Sequence, residues 1–221
     1  MDAIILYGDN HILVAVKPQN VPSQADDSGD PDFLSQLKQY VKQKYNKPGE
    51  AYLGLVHRLD RPTGGVMVFA RTSKAAARLS VQLKTGEMHK KYAAIVSADI
   101  PPAAELRDYL KKDPKTNTSR IVPADTPGAK LAILQYETIQ RAGGYALLSV
   151  RLQTGRSHQI RVQLAHTGAP LAGDVRYGGA PCEKLCLWAH MLSFIHPITK
   201  EPLTFSAPLP GYAPWTLFKQ S

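Results

Sequence analysis

Apolar and polar positions along the chain fall into two rhythms, one of period two and one of three to four. The run IILY, the polar GDN and the run ILVAV predict two short strands around a turn, ending at Lys17-Pro18. Pro18 and Pro22 mark a loop, and QADDSGDPD reads as a solvated, turn-rich connector. Asp30 and Pro31 offer an N-cap and a first helical residue. Leu34, Leu37 and Val41 then keep an i, i+3, i+7 spacing through DFLSQLKQYVKQKY, which predicts an amphipathic helix ending near Asn46, Pro48 and Gly49.

A strand-like YLGLVHRL follows, then the turn DRPTGG and the strand-like GVMVFAR. Ser73 is the expected cap of a helix through KAAARLSVQLKT, with Ala76, Leu79 and Leu83 inward and Gly86 at its end. KYAAIVS, DYLKK, SRIV, KLAILQYETIQ and YALLSVRLQ predict further strands, the last two joined across Arg141-Ala142-Gly143-Gly144. Ser157 is the expected cap of a helix through HQIRVQLAHT, closed by Gly168. CLWAHMLSF and PLTFSA flank a hairpin-like HPITKE. Strands outnumber helices and follow one another in hairpins, so an α+β fold with a large, mainly antiparallel sheet is expected rather than a doubly wound one. Neither a repeat nor a linker breaks the sequence, and a single domain over residues 1–221 is expected.

Composition narrows the class. With 43% hydrophobic and 20% charged residues and two cysteines, the 221 residues are neither disordered, collagen-like nor a disulfide scaffold. No stretch approaches the ~20 apolar residues of a membrane helix. The start, MDAIILYGDN, lacks the basic flank and cleavage site of a secretion signal, so a cytoplasmic protein is expected. The net charge of +9 is uneven: residues 1–55 carry 5 basic and 7 acidic side chains, residues 56–120 carry 13 and 6, and residues 121–221 carry 9 and 5. That field suits a polyanion such as RNA or DNA, and plain solubility accounts for it equally well.

Three segments concentrate reactive side chains. In His57-Arg58-Leu59-Asp60-Arg61-Pro62-Thr63-Gly64-Gly65, a carboxylate between two arginines lies in a turn framed by apolar strands. Such a carboxylate stays ionised and can act as a nucleophile, but a turn-initiating Asp that caps its own backbone is the commoner case. In Gly155-Arg156-Ser157-His158-Gln159-Ile160-Arg161 a strand feeds a helix, whose amino terminus attracts anions. Arg161, beside Ile160, Val162 and Leu164, needs a buried acidic partner or an exit to solvent. In Lys90-Lys91-Tyr92 a tyrosine can stack on a base while the lysines hold phosphates, or it can simply pack. KKDPKTNTSR, residues 111–120, is a basic, hairpin-like excursion. Cys182 and Cys186 have no second pair, so no metal site is expected, and no hydrolase, zinc-protease or Walker motif occurs. His196 before Pro197 reads as a turn residue, and His166 and His190 as partly buried polar groups.

Taken in order, ILYGDNHILVAVKPQNV, HRLDRPTGGVMVFART, KKYAAIV, GRSHQIRVQLAHTGAPLAGDVRYGG and LWAHMLSFIHPITKEPLTF resemble the RluA-type pseudouridine synthase family over nearly the whole chain. The resemblance implies isomerisation of uridine to pseudouridine in rRNA or tRNA, with no metal or organic cofactor. It implies that Asp60 is the essential carboxylate, acting at the ribose by attack on the anomeric carbon or by proton removal. Tyr92 would pack on the target base, Arg161 would pair with the carboxylate, and Arg58 would occupy the space left by a flipped nucleotide. His57, Arg61, Lys90, Lys91, Arg156 and His158 complete the expected RNA-contacting set.

The turn R-P-T-G-G departs from the family's frequent T-S-G at Gly64, and Trp188 stands where a histidine is frequent. The small RNA-binding domain that precedes many relatives is expected to be absent. RNA affinity would then come from the basic face of the catalytic domain, acting as a monomer. Two rival readings differ in class. A catalytically silent RNA-binding or assembly protein would not require Asp60, Tyr92 and Arg161 together. A nucleoside or sugar hydrolase lacks a second carboxylate placed as general acid.

Overall fold

The computed structural model describes residues 4–46, 48–97 and 99–218. Close packing of the backbone groups these into two compact units. One comprises the described residues of Met1–Lys90 with Ala189–Ala207, and the other those of Lys91–Trp188 with Pro208–Ser221.

The first unit has at its centre two apolar strands buried on both faces, with more exposed strands at its edges. β1 (Ile4–Gly8) and β2 (Ile12–Lys17) form the expected hairpin, with Asp9 Oδ1 accepting the His11 and Ile12 N–H groups at 2.7 Å in the turn. β2 pairs antiparallel with β4 (Gly64–Ala70), and every residue of both strands is buried. Next to β4 lies β10 (Leu187–Ile195), which pairs antiparallel with β11 (Pro202–Ser206). Gly65 sits at φ 122°, where a Cβ would lie 2.3 Å from the Ala189 carbonyl oxygen, so β4 and β10 approach there only because the side chain is a hydrogen atom.

YLGLVHRL does not form the strand its apolar content predicts. Only β3 (Gly54–Leu55) pairs with β4, and residues 56–63 leave the ladder as an irregular loop. Helix α1 (Phe33–Lys44) begins two residues later than expected: Asp32, not Asp30, accepts the Ser35 N–H, and Phe33, Leu37 and Val41 are the buried face. The Phe33 ring meets Phe69 of β4 edge-on at 5.8 Å. Thr72, not Ser73, caps α2 (Ser73–Thr85) by accepting the Ala75 N–H, and Gly86 closes it in the left-handed conformation as expected. The inward residues of α2 are Ala75, Leu79 and Gln82. Gln82 is polar yet buried because its amide exchanges two 2.8 Å hydrogen bonds with the backbone of Ile195, one given and one taken.

The second unit is an antiparallel sheet in the order β5-β9-β8-β6-β7. Its strands are β5 (His89–Val96), β6 (Ala103–Asp113), β7 (Thr118–Ile121), β8 (Lys130–Ala142) and β9 (Tyr145–Leu152). β8 and β9 are joined by Gly143-Gly144, both at positive φ, the two-residue loop whose twist matches a hairpin. The basic excursion 111–120 is the β6–β7 hairpin. Helix α3 (Gln159–His166) follows β9. Its cap is His158, a non-glycine residue at φ 54° with no side-chain capping bond, so the expected Ser157 cap is not formed. Val162 of α3 packs with Leu110 and Ala132, and a second apolar cluster gathers Ile95, Leu147, Cys186, Trp215 and Phe218.

All the strand pairs described by register are antiparallel, and with three α-helices the fold is α+β with a mainly antiparallel sheet, as the hydropathy pattern predicts. No helix among the described residues is long and apolar enough to cross a membrane. His166 is exposed rather than partly buried. His196 is more than a turn residue: it is buried, its Nε2 lies 2.9 Å from Asp9 Oδ2, and its Nδ1 accepts the Thr199 N–H at 2.9 Å.

Candidate active site

The loop 56–63 of the first unit owes its shape to three polar side chains supplied by residues 17–23. The Ser23 hydroxyl donates to the Leu59 carbonyl at 2.7 Å and accepts the Leu59 N–H at 3.1 Å. Gln19 Nε2 donates to the Pro62 carbonyl at 3.1 Å, and Lys17 Nζ to the Arg61 carbonyl at 3.1 Å. The Asp60 carbonyl in turn accepts the Thr63 N–H at 2.9 Å, closing a tight turn. Asp60 is thus carried on backbone fixed at the residue before it and at the two after it, and its side chain is half-buried.

The neighbours of Asp60 divide by direction. His57 is buried and its Nε2 accepts the Val68 N–H at 3.2 Å, which assigns the ring proton to Nδ1. Burial, aided by the positive charge of Lys90, pushes its pKa down to about 3, so the imidazole is neutral at physiological pH. It faces the strand backbone rather than solvent. Arg58 is exposed. Arg61 is also exposed, donating through Nε to the Asn20 carbonyl at 3.3 Å and through Nη2 to Asp30 in a close ion pair. Lys90 lies at the start of β5, half-buried, and burial lowers its pKa.

In the second unit, Arg161 is 5% exposed and has the buried acidic partner its apolar neighbours demand. Its Nε and Nη2 each donate to Asp174 at 2.7 Å, a two-pronged bond to a carboxylate that is itself 2% exposed. Asp174 precedes a single 3₁₀ turn, Val175–Tyr177. The Gly173 before it sits at φ 79°, with Lys184 O only 2.3 Å from where a Cβ would be, so a glycine is needed to present the acid. Tyr177 extends the arrangement. Its ring lies 5.0 Å from the Arg161 guanidinium, its hydroxyl accepts the Ser119 N–H of β7 at 2.9 Å, and the same oxygen is 2.7 Å from His158 Nδ1. The phenol oxygen thus joins the backbone of β7 to the His158 ring at the start of α3.

His158 and Arg161 are therefore brought together around Tyr177, and the β6–β7 hairpin is tied to the same turn, with Arg176 Nη1 donating to Asn117 O at 3.2 Å. Arg156 is exposed and donates through Nε to the Leu131 carbonyl at 2.8 Å. Lys91 is half-buried and opposite Arg151 in the ladder, whereas Tyr92, opposite Val150, is 7% exposed. Asp174, Tyr177, Lys17 and Ser23 have no place in the expected site. The apolar segment around Arg161 demands an acid, and the sequence offers Asp174 thirteen residues on, in LAGDVRYGG, but nothing in one dimension couples the two. Among the described residues no group of three His, Cys, Asp or Glu side chains is placed to hold a metal ion. Burial raises the Cys186 thiol to about 12, which keeps it protonated.

Residues 11–166 match the family model described as RNA pseudouridylate synthase. Ribosomal large subunit pseudouridine synthase D of Xanthomonas campestris pv. campestris is 32% identical over 222 residues, covering 93% of this chain and 66% of that protein. The protein of the same name in Pasteurella multocida is 34% identical, covering 93% and 67%. An RNA pseudouridine synthase of Bacillus subtilis, YjbO, whose function is uncharacterised, is also 34% identical, covering 93% and 72%. The chain thus spans about two thirds of the length of the curated relatives it matches. Among solved structures, the human protein RNA pseudouridylate synthase domain containing 4 has the same fold, with a TM-score of 0.80 at 24% identity over 97% of this chain and 91% of that one. The motifs, the fold and these matches agree, and the chain belongs to the RNA pseudouridylate synthase family.

Proposed function

We propose that this protein isomerises uridine to pseudouridine within structured RNA, with Asp60 as the essential carboxylate. The observation that carries the reading is the turn itself: Ser23, Lys17 and Gln19 fix the backbone on both sides of a half-buried Asp60. Preorganisation of that kind is what a group acting at one carbon of a ribose requires. The reaction needs no oxidant or reductant. The bond from N1 to the anomeric carbon breaks, C5 bonds to that carbon and loses its proton, and N1 regains one.

The base has to leave its stack for this to happen. Tyr92 is proposed to lie against the uracil face, which tolerates in-plane rotation of the ring. Arg161 is proposed to counter the charge of the catalytic carboxylate, its guanidinium plane fixed by Asp174. Arg58, Arg61, Lys90, Lys91 and Arg156 are proposed to contact the RNA. The inward-facing His57 and the Tyr177-bound His158 fit the role of shaping the loops better than that of touching phosphate. The likeness to ribosomal large subunit pseudouridine synthases favours ribosomal RNA of the large subunit as substrate, with tRNA as the alternative. We further propose that residues 1–221 act as one catalytic domain, as a monomer and in the cytoplasm.

Asp60→Ala is expected to abolish pseudouridine formation on RNA transcripts while leaving the melting temperature and RNA affinity near those of the wild type. Pseudouridine formed by that variant at the wild-type rate would overturn the assignment. Mapping pseudouridine in total RNA from cells with and without the gene identifies the substrate.

A further inference from the structure

The sheet of the second unit sets like charges directly against each other. Lys91 of β5 stands opposite Arg151 of β9, and Lys111 of β6 stands opposite Arg120 of β7. Partners in a ladder share a face, and side chains alternate along a strand. The partnerships Tyr109–Leu131, Gln135–Arg151 and Arg151–Lys91 therefore put both couples on one side of the sheet. Leu110 and Ala132 pack on Val162 of α3 from the other side. Arg120 and Arg151 are exposed, and Lys91 and Lys111 are half-buried. Like charges facing each other in this way destabilise a sheet. Among the described residues none of the four has a carboxylate at ion-pair distance. The acids of this side are engaged elsewhere. Glu105 accepts from Arg107, Gln135 and Gln153, and Asp113, whose charge reaches Arg120, accepts the Lys115 N–H at 2.9 Å. Glu137 stands opposite Ser149.

We propose that this side of the sheet is an RNA-contact surface, on which phosphates of the strand flanking the target uridine settle between Lys91 and Arg151 and between Lys111 and Arg120. This deepens the function proposed above and rests on its reading of RNA as the substrate. A phosphate between two cations turns their mutual repulsion into two charge-assisted contacts, which no residue of the protein supplies there. Glu105 is the β6 residue level with Lys91, so Lys111 lies three strand spacings across and six residues along, about 25 Å away. The two couples therefore take different phosphates. Between them Tyr109 and Leu131 are partners in the ladder, a ring and an apolar side chain on which a base can rest. Lys91 adjoins Tyr92, so the path starts at the end of β5 where the target base is proposed to lie.

The test measures the affinity of the full chain for an RNA transcript across a salt series, and the melting temperature of the free protein. Arg151→Gln and Arg120→Gln are each expected to weaken RNA binding about tenfold, the scale of one charge-assisted hydrogen bond. Each should also make the log–log salt slope shallower by about 0.7, one phosphate fewer. Lys111→Glu is expected to move two readouts in opposite directions. It should raise the melting temperature, because an acid then stands opposite Arg120, and weaken RNA binding by more than about tenfold. A solvated face with no partner would gain the stability and lose no affinity. Arg151→Gln and Arg120→Gln binding RNA within about twofold of wild type, with the slope unchanged, would overturn the proposal whatever Lys111→Glu does to melting. The wild-type chain separates this from the underlying reading. Failure of the wild type to bind any RNA removes RNA as the substrate, whereas a wild type that binds beside indifferent variants removes only this surface.

Discussion

Arg161 gives two N–H groups to the carboxylate of Asp174, and both side chains lie almost wholly out of water. Removing either charge strips the other of a two-pronged partner in a site almost without water, which is strongly destabilising. Asp174→Asn is therefore expected to destabilise the protein by about 3 kcal/mol or more in urea unfolding. A loss below about 1 kcal/mol would show that other acceptors suffice for the guanidinium. The need for such an acid was legible in the sequence, since an arginine among Ile160, Val162 and Leu164 has few other solutions. Its identity was not, because the resemblance assigns Arg161 to the catalytic carboxylate and says nothing of Asp174. Lys17 was hidden for a different reason. Next to Pro18 it looks like the polar end of a strand, and what holds it inward is three carbonyls, two from the adjoining loop and one from Arg61.

The secondary structure came through as a pattern of types more faithfully than as a set of boundaries. Both hairpins flanking the long middle strands, the two amphipathic helices and the αL glycine after α2 follow from hydropathy period and glycine placement. The caps were misplaced by one or two residues, because Asp30 and Asp32, like Thr72 and Ser73, are chemically competent at adjacent positions. Only the backbone decides between them. Thr72→Ala should cost about 1 kcal/mol in thermal or chemical unfolding, and Ser73→Ala within about 0.5 kcal/mol of nothing. The reverse ranking would return the cap to Ser73. YLGLVHRL failed as a strand for a reason that hydropathy does not register. Leu59 exchanges hydrogen bonds with the Ser23 hydroxyl and His57 accepts one from the Val68 N–H, so both are held inside without pairing in a ladder.

Over the full length of the chain, the order of the motifs carried more information than any one of them. An HRLD turn alone is a modest signal, while five ordered segments define a family, and the match over residues 11–166 agrees. The grouping of the chain into two compact units left no trace in composition, since two of the boundaries fall inside β5 and β10 rather than in a Pro- or Gly-rich linker. The charge of +9 does translate into a measurable property. If the RNA is held through phosphates, log affinity should fall linearly with log salt, with a slope near −0.7 for each single-stranded phosphate neutralised. Titrations between about 50 and about 300 mM salt suffice to measure it, and a salt-independent affinity would contradict phosphate binding.

Ser23 shows how little material separates an ordered loop from a slack one. A single oxygen atom takes the amide proton of Leu59 and returns its own to the carbonyl of the same residue. That reciprocal exchange is what a neighbouring strand would ordinarily provide. The segment before Asp60 thereby borrows its rung from a side chain, and deleting that one atom is equivalent, for Leu59, to losing an adjacent stretch of sheet.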